Sequence, residues 1–200
     1  MKILVIGGEG TIGKVVSNHL KKKHEVIIGG RSTGDIQVDI SDSSSIQSAF
    51  KNIGRLDAIA CIAGEARWAP FSDLSEEDYY IGIRSKLMGQ VNVVRFGQEY
   101  LNQGGSITLS TGILADDPVC MTTSAAMVNG ALHSFVQAVD LEIGNAIRVN
   151  VVSLGLVEDA YEKYKDYFPG HNPISMEKAI NAYIKSIEGK GRGKIIKVYE

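Results

Sequence analysis

Three glycines spaced three apart, Gly7-x-x-Gly10-x-x-Gly13, stand near the start of this chain. They follow Lys2 to Ile6, a run that is apolar after its first residue, and precede a helical pattern that reaches Leu20. Glycine lets the backbone turn tightly and brings its N–H groups close to an anion. A helix N-terminus behind such a turn favours negative charge by up to ~2 kcal/mol in a sheltered geometry. Strand, glycine turn and helix together read as a diphosphate site. A purely structural glycine turn is the competing reading.

A second cluster is Gly29-Gly30-Arg31-Ser32-Thr33, at the end of the next apolar run. An acid at this point of a dinucleotide fold accepts from ribose hydroxyls and selects NAD, whereas an arginine pairs with a 2′-phosphate. The chain has no acid at the strand end and has Arg31, Ser32 and Thr33, which reads as NADP. One charge-assisted contact contributes roughly 1.5–3 kcal/mol, about ten- to a hundred-fold in affinity. A solvent-facing turn arginine is the alternative. Asp39-Ile40 follows the third strand, where Asp39 either meets the adenine amino group or serves as a plain turn acid.

These residues need elements to hold them. The pattern predicts strands at Glu25 to Gly29, Asp35 to Val38, Leu56 to Ile62, Gly105 to Ser110, Arg148 to Ser153 and Lys194 to Tyr199, besides Lys2 to Ile6. Helices are predicted after the glycine turn, from Ser41 to Ile53, from Ser75 to near Leu101, from Thr123 to Ile143 and from Met176 to Glu188. Leu156 to Asn172 reads as an irregular aromatic stretch. Alternation of this kind implies a single doubly wound α/β Rossmann-type domain over residues 1–200. Its sheet is seven-stranded and mostly parallel, with helices on both faces. Ligands then sit at the carboxyl ends of the strands, near the switch point between the first and fourth.

Composition narrows the partners. With Lys plus Arg at 21 and Asp plus Glu at 23, the net charge is −2, and nothing calls for nucleic acid or a membrane surface. Hydrophobic residues make up 44%, without a run long enough to span a bilayer. A strand beginning at Lys2 leaves no room for a signal peptide, so a cytoplasmic protein is expected. Cys61 and Cys120 offer neither metal spacing nor a disulfide framework, and no metal site is expected.

Taken together, the motifs resemble the short-chain dehydrogenase/reductase family along nearly the whole chain. Gly7-Gly8-Glu9-Gly10-Thr11-Ile12-Gly13 is similar to the glycine loop of its extended and atypical branches. Asp39-Ile40 resembles its adenine-side Asp-apolar pair. Cys61-Ile62-Ala63-Gly64 resembles its Asn-Asn-Ala-Gly strand end, with both asparagines replaced. Arg148-Val149-Asn150-Val151-Val152-Ser153-Leu154-Gly155 resembles its Arg-Val-Asn…Pro-Gly segment, with Leu154 in place of proline. The resemblance implies cofactor contacts at Gly7, Gly10, Thr11, Ile12, Gly13, Ala63, Gly64 and Gly155, and a small-molecule substrate.

The departure from the family is sharper than the likeness. Usual members carry a Ser and then Tyr-x-x-x-Lys on the following helix, the Tyr moving the proton and the Lys tuning it. Anchored on Gly130-Ala131-Leu132, those positions fall on Ala125 and Asn129. Ser110 and Thr111 remain at the strand end, where either is expected to orient a carbonyl oxygen. Asn129 is expected to hold the ribose hydroxyls as a neutral donor. Lys86, three residues before Gly89, falls where the family often has an asparagine and is one candidate for another proton source. The bland readings are a polar strand terminus and a solvated helix lysine.

The functional expectation is an NADP(H)-dependent oxidoreductase acting on a small carbonyl or alcohol through a degenerate site. The alternative is an inactive NADP-binding redox sensor or regulatory protein. Trp68, Tyr161, Tyr164, Tyr167, Phe168 and His171 suggest either an aromatic lid or ordinary surface packing. Leu87, Val91 and Val94, with Leu132, Val136 and Val139, suggest two helices with apolar surface to spare for a homodimer or homotetramer.

Overall fold

The computed structural model describes all residues 1–200. Its strands are β1 (Lys2–Ile6), β2 (Glu25–Gly30), β3 (Ile36–Gln37), β4 (Leu56–Cys61), β5 (Leu101–Gly112), β6 (Arg148–Leu154) and β7 (Ile195–Val198). They form one sheet in the order β3-β2-β1-β4-β5-β6-β7, and every neighbouring pair is parallel. The helices are α1 (Thr11–Leu20), α2 (Ser43–Ile53), α3 (Glu76–Gly82), α4 (Gly89–Gly97), α5 (Thr123–Glu142), α6 (Glu158–Tyr164) and α7 (Met176–Ile187). No helix is long and apolar enough to cross a membrane.

Strand alternation divides the core into two layers. On one face Leu4, Ile6, Ile59, Cys61, Ile107 and Leu109 pack against α2, α4 and α5. On the other, Ile3, Val5, Ala58 and Ala60 pack against α1 and α7. A sheet buried on both faces needs apolar residues at successive positions, which is why β1 and β4 lack a polar face.

Local chemistry sets the ends. Asp42 caps α2, its side chain accepting from Ser44 N–H. Ser75 and Asp78 form a reciprocal capping box at α3. The long helix expected from Ser75 is interrupted, because Ile83–Met88 winds as a π-helical turn between α3 and α4. Such turns insert an extra residue and re-aim side chains, often at functional sites.

Three expectations change. Within Asp35 to Val38 only Ile36–Gln37 pairs as strand, because the Asp35 carboxylate turns back to accept from Ile28 N–H at 2.8 Å. The stretch expected to be irregular holds α6, whose aromatics close a small cluster and leave no simple helical stripe. Val94, Leu132 and Val136 lie in the core, with Leu87, Val91 and Val139 packed against it, so these six are not spare surface. The outward apolar residues of this region are Ile81, Met88, Met127 and Leu141.

Candidate functional site

The carboxyl ends of β1, β4, β5 and β6 come level, with Ile6 beside Cys61, Ser110 beside Val152 and Gly112 beside Leu154. Two cavities lie along this edge. The first, about 360 Å³, spans the glycine turn, Gly29 to Thr33, Val38 to Ile40, and Ile62 to Glu65. It collects Gly7, Gly10, Arg31, Ser32, Thr33, Asp39, Ile40, Ala63 and Gly64. The second, about 410 Å³, is mainly apolar and includes Ile12, Lys86, Thr111 and Gly155.

The first cavity suits a dinucleotide. Gly7 has φ +81°, and a Cβ there would strike the Ile62 carbonyl. A Cβ on Gly13 would strike the carbonyl of Gly7, so both glycines are required for the turn to lie against the helix. Gly13 itself is buried and lines neither cavity. The N-terminus of α1 has no side-chain cap and no acid in its first turn. Its first N–H groups, beginning at Thr11, are thus left for an anion.

Charge at the far end is more mixed than the sequence suggested. Arg31 lies 3.4 Å from Glu65 across the cavity mouth. Glu9 and Asp39 line the same cavity. One Asp39 oxygen is spent in a turn, accepting from Ser41 N–H at 2.9 Å and Ser41 O–H at 2.7 Å. Glu65 was not anticipated, because it nears Arg31 only through the sheet order, which sets the ends of β2 and β4 on either side of β1.

Ser110 and Thr111 part company. Along β5, Ser106, Thr108 and Ser110 point toward α7, bonded to Ile187 carbonyl, Ser186 and Tyr183 respectively. Ser110 Oγ donates to the Cys61 carbonyl at 2.6 Å and lies 2.7 Å from Tyr183 Oη. The buried amide of Gln90 fixes the Ser110 backbone at both N–H and carbonyl. Ser110 is thus a structural group that lines neither cavity, correcting the expectation that it orients a substrate. Thr111 projects the other way, toward α5, and lines the second cavity. Its Oγ1 lies 2.9 Å from His133 Nε2. His133 is buried, and burial pushes its pKa down. Sequence reading missed it, although a position four beyond Asn129 shares that helix face.

Asn129 is 3% exposed, its Oδ1 has no partner, and it lines neither cavity. Its expected contact with ribose is therefore not prepared, although a Cβ on Gly112 would come within 4.0 Å of Asn129 Nδ2. Ala125 belongs to an apolar cluster with Ile113, Leu114, Leu156 and Phe168. Trp68 packs on Tyr164 at 5.6 Å and on Phe168 at 6.4 Å between ring centroids, closing the cavity's outer wall. His171 pairs instead with Asp117 at 3.0 Å. Burial pushes the Cys61 thiol up to about 12, which leaves it unreactive.

Lys86 sits in the π turn, half-buried, and reaches the second cavity. Burial holds its pKa below the ordinary lysine value. Gly64, at φ +123°, makes this possible, since a Cβ there would stand 2.8 Å from Lys86 Cα.

Comparison with known proteins agrees with this geometry. A family model described as enoyl-(acyl carrier protein) reductase matches residues 13–182. The crystal structure of the protein lin1944 from Listeria innocua is 41% identical, covers 100% of both chains and superposes with a TM-score of 0.97. A small-chain dehydrogenase crystallised with NADPH is 27% identical, with a TM-score of 0.88 over 100% of this chain and 96% of that one. A short chain dehydrogenase of Claviceps purpurea is 30% identical over 150 residues, 71% of this chain and 57% of its own length. The chain spans between 54% and 76% of the length of the first curated relatives it matches. The sheet order, the glycine turn beneath α1 and the match over most of the sequence lead to one conclusion: the chain belongs to the short-chain dehydrogenase/reductase family.

Proposed function

We propose that this protein is an NADP(H)-dependent oxidoreductase acting on a small carbonyl or alcohol, with Thr111 and Lys86 facing the substrate at a site that lacks the usual Tyr/Lys pair. The observation that carries the reading is that Thr111 and Lys86, from different elements, line one cavity next to the dinucleotide trough. When bound, the nicotinamide supplies or accepts a hydride. The chain's own residues do the rest. Gly7, Gly10, Thr11 and Ile12 hold the diphosphate end, and Arg31, Ser32 and Thr33 meet the 2′-phosphate. Ala63, Gly64 and Gly155 bring backbone close to the cofactor. Thr111, steadied by His133, donates a hydrogen bond to the carbonyl oxygen. Lys86 or water supplies the proton. Proximity and orientation persist without a tyrosine, so hydride transfer remains open, while loss of a positioned acid lowers rate by ~10²–10⁴-fold.

A second reading is a cofactor-binding sensor without turnover. It is favoured by the apolar surroundings of Ala125 and the unpartnered amide oxygen of Asn129. NADPH oxidation against a carbonyl panel, for the wild type and Thr111→Ala, separates the two. Turnover that falls ten-fold or more in Thr111→Ala supports the enzyme reading. Tight NADPH binding with no turnover on any carbonyl supports the sensor.

A further inference from the structure

The second cavity has a wall chemistry that the family resemblance does not account for. Of its 13 lining residues, 9 are hydrophobic, and Lys86 alone carries a charge. No carboxylate, carbonyl or hydroxyl of the protein hydrogen-bonds its ammonium, and the only other ionisable group acting on it is the buried Cys61. A surface lysine escapes such a position by swinging into water. The base of the Lys86 side chain packs directly over Gly64, where a Cβ would stand within 3.0 Å of Lys86 Cα, Cβ and Cγ. The π turn at Ile83–Met88 fixes the backbone from which it departs. The chain therefore holds a partly desolvated cation against an apolar, aromatic-walled space and supplies no counter-ion. Partial burial of an unpaired charge carries a cost even where the ammonium keeps contact with water, and an anionic ligand entering the cavity would relieve it.

We propose that the substrate is an anionic small molecule, an aryl- or alkyl-substituted carbonyl compound bearing a carboxylate, with Lys86 as the counter-ion of that carboxylate. The carboxylate takes no part in bond changes; it fixes the carbonyl relative to Thr111. The inference rests on the oxidoreductase reading only in taking the second cavity as the substrate's. With Lys86 paired to the carboxylate, the proton for the carbonyl oxygen comes from water.

The test needs no turnover. Trp68 is the only tryptophan in the sequence and lines this cavity, so its fluorescence reports occupancy directly. Benzoate and its neutral isostere benzamide are titrated against the wild type and Lys86→Met, with and without saturating NADP⁺. The expected result is saturable binding of benzoate at least ten-fold tighter than benzamide. Lys86→Met should lose that preference while still binding benzamide, which shows that its cavity is intact. Equal affinity for acid and amide, no saturable response to either, or a preference that survives in Lys86→Met overturns the proposal. So does loss of benzoate binding when NADP⁺ is present, since Lys86 would then serve the cofactor. Absence of carbonyl turnover leaves these binding results unchanged, so failure of the enzyme reading and failure of this inference are separable.

Discussion

In the proposed function cofactor choice turns on Arg31, and the perturbation with the clearest magnitude is its removal. A guanidinium on a phosphate makes charge-assisted bonds worth roughly 1.5–3 kcal/mol. Against this stands the contact that Arg31 must give up, the Glu65 carboxylate at 3.4 Å. Those side chains are 67% and 59% exposed, so water already screens most of their attraction. Exposed pairs contribute about 0.2–1 kcal/mol, and a pair this open and long belongs near the lower end. The difference leaves a preference for NADPH over NADH of at least about ten-fold. Calorimetric titration with both cofactors measures it. Arg31→Ala should bring the two affinities together by weakening NADPH and leaving NADH unchanged. Glu65→Gln should tighten NADPH by no more than about two-fold, because the competing carboxylate is gone and Arg31 is kept. Raising the salt should narrow the preference. Equal affinities in the wild type, or an undiminished preference in Arg31→Ala, would refute the reasoning and make Arg31 a turn residue.

Other measurements probe separate parts of the molecule. Ser110→Ala should lower the melting temperature while leaving NADPH affinity within two-fold, because it leaves the buried Tyr183 hydroxyl short of a partner at a cost of ~1–3 kcal/mol; adding Tyr183→Phe should recover most of the loss, and a Ser110→Ala variant of unchanged stability but weakened cofactor binding would return Ser110 to the site. Lys86→Met should raise the melting temperature at pH 7. Burial lowers the Lys86 pKa, so the folded chain holds this proton less tightly than the unfolded chain and the lysine costs stability below its folded pKa. The gain from Lys86→Met should therefore shrink as pH climbs from the folded value toward the ordinary ~10.4; a constant or growing gain contradicts the assignment. Light scattering at micromolar protein should give a mass above the 21.6 kDa of one chain, since Met88, Met127 and Leu141 remain exposed; a monomer alone would remove the proposed homodimer or homotetramer.

The sequence alone determined the sheet and the glycine turn, because both depend on short-range patterns. β1 ends where its apolar run does, and the glycine spacing marks a place where a strand turns closely into a helix. The capping residues Asp42 and Ser75 likewise act within a few residues of themselves. The substrate side was not legible in this way. Ser110 and Thr111 are neighbours with nearly the same chemistry, and the strand pleat sends one to Tyr183 on α7 and the other to His133 on α5. Only the layers on each face decide which hydroxyl is spent on structure. Glu65 met Arg31, and Lys86 met the cavity, through contacts between distant segments and through a π turn that helical periodicity does not announce. A lysine's role depends on what desolvates it and what fails to pair with it, and both are properties of the packed chain in three dimensions.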